Sequence, residues 1–212
     1  MRVMKFGGAS VSTPANVRNV ANIAMEMHEQ GPIVIVVSAM AKNTNALELL
    51  ARFAEAGDEE ATWQQFKKIK QFHVDMMDQL LGKSAPEQDL PLRQKTHQFF
   101  EELDRLIRGI MLLGDFPRRI SDRIMAFGEL LSTSIVAEVL NQKGLPIEWL
   151  DARDMIKTDA NWGSANVISH LTDENLRNSI QPLVDEGKVL ITQGYISATT
   201  DGRTTTLGRE GS

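Results

Sequence analysis

The chain has 212 residues, of which 42 % are apolar and 24 % charged, with a formal net charge of -5 and no cysteine. Such a length supports one large globular domain or two small ones with a substantial core, while the lack of cysteine excludes a disulfide framework and a thiolate metal site. The negative balance argues against nucleic acid as a partner, because that affinity rests on clustered Lys and Arg; a small anionic ligand would need donors local to its own site.

The amino-terminal MRVMKFGG reaches a glycine pair too soon for a signal peptide, and no later stretch is an unbroken run of the roughly 20 apolar residues that mark a membrane helix. A soluble, cytoplasmic protein with no membrane partner is expected. Residues 3–6 read as a short strand, followed by Gly7 and Gly8. A capped helix follows over 14–30, with Val17, Val20, Ala21 and Ala24 on one face. The unbroken apolar run 33–37 suits a strand covered on both faces, so strand, helix and strand read as a right-handed parallel crossover.

From 44 to 140 the pattern is almost wholly helical, with breaks near Gly57, over 82–91 and over 114–117. Phe66, Ile69, His73, Met76 and Leu80 step by three and four, as do Phe99, Leu103, Leu106, Ile110 and Leu113, which fits two antiparallel helices. On that stripe His73 is expected to be a packed histidine and not a catalytic one. Pro117 suits the first turn of a further helix. Strands are expected at 147–150 and 189–192, with a helix between them starting near Thr172. The tail, 194–212, is dense in Gly, Thr and Ser. Loops of this composition usually lead into a helix that completes a phosphate site; without one, the segment is expected to hold little order and the site to be incomplete.

Lys5, Gly7 and Gly8 fall at the carboxyl end of the first strand, the edge where open α/β sheets bind ligands. Glycines let backbone N–H groups approach phosphate oxygens, and a lysine can neutralise charge on a transferring phosphoryl group. Neither the Walker loop nor the dinucleotide fingerprint is present.

Further segments accompany this one: VVSAMAKNTN at 36–45, GELLS at 128–132 and ITQGYISATTDGRTTTLGREGS at 191–212. With KFGGASV at 5–11 they resemble the aspartate kinases of the amino-acid kinase superfamily, in the family's order and at about its spacing. The resemblance implies a three-layer α/β sandwich with a mostly parallel sheet, helices on both faces and a helical insert at about 44–116. The nucleotide-binding half and the regulatory ACT domains would be absent. The activity it implies is ATP-dependent phosphorylation of the side-chain carboxylate of L-aspartate, with Mg2+ accompanying ATP. A full-length relative would form a homo-oligomer, and this stretch alone would be inactive.

Carried over by residue, the resemblance makes Lys5 catalytic and places Gly7, Gly8 and Ser38 at the ATP phosphates. Thr44, Glu129, Arg209 and Ser212 would bind the amino acid, Glu129 at its ammonium and Arg209 at its α-carboxylate. No protein metal site is implied. Glu210 stands where the family usually has glycine, which bears on the backbone path there. The competing readings are a glutamate or carbamate kinase of the same superfamily, or a non-catalytic amino-acid or phosphate binding module.

Overall fold

The computed structural model of the chain describes residues 1–82 and 91–208. Four strands, β1 (Arg2–Phe6), β2 (Ile33–Val37), β3 (Ile147–Trp149) and β5 (Val189–Gln193), form a wholly parallel sheet in the order β1-β2-β5-β3. β2 and β5 are covered on both faces, whereas Val3 and Lys5 on β1 are exposed. Ile33, Ile35, Val37, Val189 and Ile191 face α1 (Pro14–Glu29) and α5 (Arg118–Gln142) in one apolar cluster, while the alternate positions face the side of α7 (Ser169–Asp185). Coverage on both faces explains why β2 and β5 are apolar runs without alternation.

Thr13 caps α1 by accepting the Asn16 N–H at 3.2 Å, with Pro14 in the first turn, and Asp58 caps α3 (Glu59–Leu81) by accepting the Ala61 N–H at 3.0 Å. The helical layer is α2 (Asn43–Glu55), α3 and α4 (Pro91–Leu113), so the helical stretch expected before the Gly57 break joins the expected pair. His73 is fully buried between the edges of Phe72 and Phe100, and its Nδ1 lies 2.8 Å from the Ile69 carbonyl oxygen. Desolvation holds its pKa down at about 4.

By length and mean hydropathy α5 could cross a membrane. In this fold it is the central core helix, with 89 % of its most apolar stretch buried. Pro117 is its N-cap and not a first-turn residue.

Two expectations are corrected. The helix placed near Thr172 begins at Ser169; Thr172 is buried inside it and accepts the Lys157 N–H at 3.1 Å, so its hydroxyl joins two elements and does not start one. The described part of the Gly- and Thr-rich segment after Gly194 also forms strands. Strands β6 (Ile196–Thr199) and β7 (Thr204–Thr206) pair antiparallel, and β4 (Lys157–Thr158) joins β6 in parallel beside α6 (Ala152–Met155). Threonine suits strands, and the buried hydroxyls satisfy one another: Thr158 Oγ1 lies 2.7 Å from Thr205 Oγ1, which lies 2.9 Å from Ser197 Oγ.

Candidate functional site

The carboxyl ends of β1, β2 and β5 converge on the 38–42 loop. The Ser38 N–H donates to the Phe6 carbonyl at 3.0 Å, the Ala41 N–H to Gly8 at 3.0 Å and the Gly194 N–H to Val37 at 3.2 Å. Gly8 is sterically required, because a Cβ there would meet the Ala39 and Ala41 carbonyl oxygens at 2.6 and 2.9 Å. Gly7 is exposed, and a Cβ would meet nothing within 4 Å. Lys5 is exposed on β1, paired in register with Val36, on the sheet face opposite Met4 and Phe6.

Helix α5 packs directly beneath this loop. The Ser132 hydroxyl donates to the Ser38 carbonyl at 2.6 Å. A Cβ on Gly128 would lie 2.9 Å from Ala39 Cβ and 3.8 Å from Thr44 Oγ1, so the glycine of GELLS lets helix, loop and the first turn of α2 meet. Thr44 is the second residue of α2, half-buried, and faces this junction instead of capping the helix.

Glu129 is 3 % exposed, although a glutamate on a helix is ordinarily solvated. Its Oε1 accepts the Ala39 N–H at 3.2 Å, while Oε2 is buried with no protein partner. Desolvation raises its pKa to about 8, against the lowering effect of the Ala39 hydrogen bond. One turn on, Thr133 Oγ1 donates to the Glu129 carbonyl at 2.8 Å and accepts from Trp149 Nε1 and Gln193 Nε2, each at 2.9 Å. Gln193 Oε1 in turn accepts the Ala152 N–H at 2.7 Å. This network fixes the helix turn that carries Glu129.

The structure thus gathers Gly8, Ser38, Thr44 and Glu129 around one loop, with Lys5 and Gly7 at the adjoining strand end. Arg209 and Ser212, with Glu210, lie outside the described residues. Two features had no signal in the sequence pattern: Tyr195 and Ala41 hold positive φ values of 65° and 52°, both in loops at the strand ends. Strain in non-glycine residues is concentrated here, as is common where a loop is over-determined for function. A groove of about 770 Å³ runs between α3 and α4 along Lys70, Arg93 and His97 and contains none of these residues.

A family model described as the amino acid kinase family matches residues 1–212. Lysine-sensitive aspartokinase 3 of Escherichia coli is 29 % identical over 99 % of this chain, and chloroplastic aspartokinase 1 of Arabidopsis thaliana is 31 % identical over 99 %; the chain spans 44 % and 36 % of their lengths. The crystal structure of E. coli aspartokinase III in complex with aspartate and ADP superposes with a TM-score of 0.86 at 26 % identity, covering 100 % of this chain and 44 % of that one. A second structure of that enzyme, with lysine and aspartate, gives a TM-score of 0.87 at 27 % identity, with the same coverage of both chains. With its parallel sheet, helical layers and convergent strand ends, the chain belongs to the amino acid kinase family.

Proposed function

We propose that this chain carries the amino-acid and phosphoryl-binding face of an aspartate kinase. A side-chain carboxylate oxygen of L-aspartate attacks the γ-phosphorus of ATP and ADP leaves, giving 4-phospho-L-aspartate, the first step toward lysine, threonine and methionine. The observation that carries the reading is Glu129: a buried carboxylate with one oxygen held by Ala39 and the other open. Leaving such a group unpaired is costly, and a substrate ammonium is the partner that removes the cost.

In this reading Arg209 takes the α-carboxylate, since a guanidinium fork matches a planar carboxylate, and Thr44 and Ser212 supply hydroxyl contacts. Lys5 neutralises charge on the transferring phosphoryl group, while the Gly7 and Gly8 backbone and Ser38 lie at the phosphates. Among the described residues no three His, Cys, Asp or Glu side chains group to hold a metal ion. In this reading Mg2+ arrives on the ATP phosphates, as it usually does beside one or two carboxylates. The full-length protein is proposed to be cytoplasmic and homo-oligomeric.

Calorimetric titration of the 212-residue chain with L-aspartate tests the assignment. Binding that Glu129→Gln weakens, with L-glutamate and carbamate bound more weakly, supports it. Binding indifferent to Glu129→Gln defeats it.

A further inference from the structure

Seven residues before Glu129, on the same face of α5, a second buried carboxylate has no role in the proposed chemistry. Asp122 is 2 % exposed. Its Oδ2 accepts two backbone N–H groups, Gly163 at 3.0 Å and Thr206 at 2.9 Å, and its Oδ1 accepts the Thr206 hydroxyl at 3.0 Å. Those donors come from separate segments, the 160–164 turn and β7, so one side chain ties both to the core helix. The tie continues, because Thr206 pairs with Ile196 in the hairpin and the Leu207 N–H donates to the Tyr195 carbonyl at 2.9 Å. Tyr195 is the strained residue at the end of β5. Next in the chain, Gly208 packs on the tied turn, where a Cβ would lie 3.3 Å from Ser164 Oγ and 3.4 Å from the Gly163 carbonyl.

We infer that Asp122 is a positioning residue: it fixes β7, the 160–164 turn and, through Leu207, the backbone of Tyr195 against the helix that carries Glu129, and so sets the shape of the amino-acid site. Two helical turns separate the carboxylates, roughly 10 Å along one face of a rigid element. Glu129 is left one oxygen open toward a ligand; both oxygens of Asp122 are bonded by protein donors. The pair divides the work, one receiving a cation and the other holding the wall. A groove of about 350 Å³ beside Asp122 is lined by Arg118, Ser121, Trp162, Gly163 and Ser164, and one backbone bond, the Ala165 N–H donating to the Thr206 carbonyl at 2.9 Å, runs beside the Asp122 tie.

The inference rests on the aspartate-kinase reading, and the test keeps the two separable. Asp122→Ala and Asp122→Asn would be made in the 212-residue chain, followed by backbone amide exchange and by L-aspartate titration. An asparagine can accept both N–H groups on its oxygen and donate its amide to the Thr206 hydroxyl, so the tie survives without the charge.

In Asp122→Ala, exchange at Thr206 and Gly163 should rise about tenfold or more and aspartate affinity should fall about tenfold. The Ala39 amide, bonded to Glu129, should keep its protection. Asp122→Asn should restore both properties to within about threefold of the unsubstituted chain. Unchanged exchange in the alanine variant, or released exchange with aspartate affinity intact, overturns the positioning role. Failure of the asparagine variant to rescue overturns it in favour of a role for the charge. No aspartate binding by the unsubstituted chain overturns the substrate reading and the affinity part of the inference together, while exchange still decides whether Asp122 holds this corner.

Discussion

Across 90 residues of sequence, Glu129 Oε1 accepts the backbone N–H of Ala39 at 3.2 Å. This bond joins the core helix to the loop after β2. It orients the carboxylate and supplies one of the few donors that offset its desolvation.

Ligand binding should therefore be pH-dependent. The Glu129 carboxyl has a pKa of about 8 in the free fold, and an ammonium beside it would lower that value. Below pH 8 the free protein is protonated there and must lose the proton to pair, so aspartate affinity should rise with pH up to about 8, by at most about tenfold per unit. Titrations at pH 6, 7 and 8 in buffers of different ionisation enthalpy should also show proton release. Glu129→Gln should abolish both effects.

Two buried groups give stability opposing pH dependences. For His73 the folded pKa of about 4 lies below the ordinary 6.5, so the unfolded chain takes up the proton first. Stability is lost as pH falls from 6.5 toward 4, by about 3 kcal/mol in all. Glu129 acts in the opposite sense. Its raised pKa makes the folded state hold the proton longer, so stability falls as pH rises from 4.5 toward 8, again by a few kcal/mol. Between pH 4.5 and 6.5 the two slopes oppose and largely cancel, so urea unfolding should show a net fall from pH 6.5 toward 8; Glu129→Gln should remove that fall and leave a rise from pH 4 to 6.5, while His73→Leu should leave a continuous fall from pH 4.5 upward.

The two glycines after β1 should respond differently to the same change. Gly8→Ala forces a Cβ against two carbonyl oxygens at 2.6 and 2.9 Å, and the backbone of the 38–42 loop would have to move. A loss of about 1–3 kcal/mol is expected in urea unfolding, together with weaker aspartate binding. Gly7→Ala meets open space and should change stability by less than about 0.5 kcal/mol. Any effect of that variant should fall on nucleotide binding.

The 212-residue chain alone should give no aspartyl phosphate trapped as hydroxamate from ATP and L-aspartate. It spans 44 % of the E. coli relative's length, and phosphoryl transfer depends on positioning both substrates together. In a turnover-competent enzyme with this sequence, Lys5→Ala should lower turnover more than aspartate affinity, because its charge matters most as negative charge develops on the phosphoryl group. Steady hydroxamate formation by the chain would contradict the first expectation, and a purely affinity-based loss the second.

Local patterns determined much on their own. The apolar runs of β2 and β5, the three-and-four stepping of α3 and α4, and the Thr13 and Asp58 caps are local features, so the sequence was enough to read a parallel α/β layer with a helical insert. The four ordered segments also named Lys5, Gly8, Ser38, Thr44 and Glu129 before any of them could be placed. The hairpin β6–β7 was missed although Asp201-Gly202 between β-branched runs is a local turn signal; what no local propensity records is the hydroxyl bonding across 8 and 47 residues that satisfies its buried side chains. Only the tertiary structure could show that Glu129 is buried with one oxygen open while Asp122, on the same helix, has both oxygens bonded by protein donors. A carboxylate's chemistry is set by desolvation and by donors brought from distant segments, and those are properties of the packed chain.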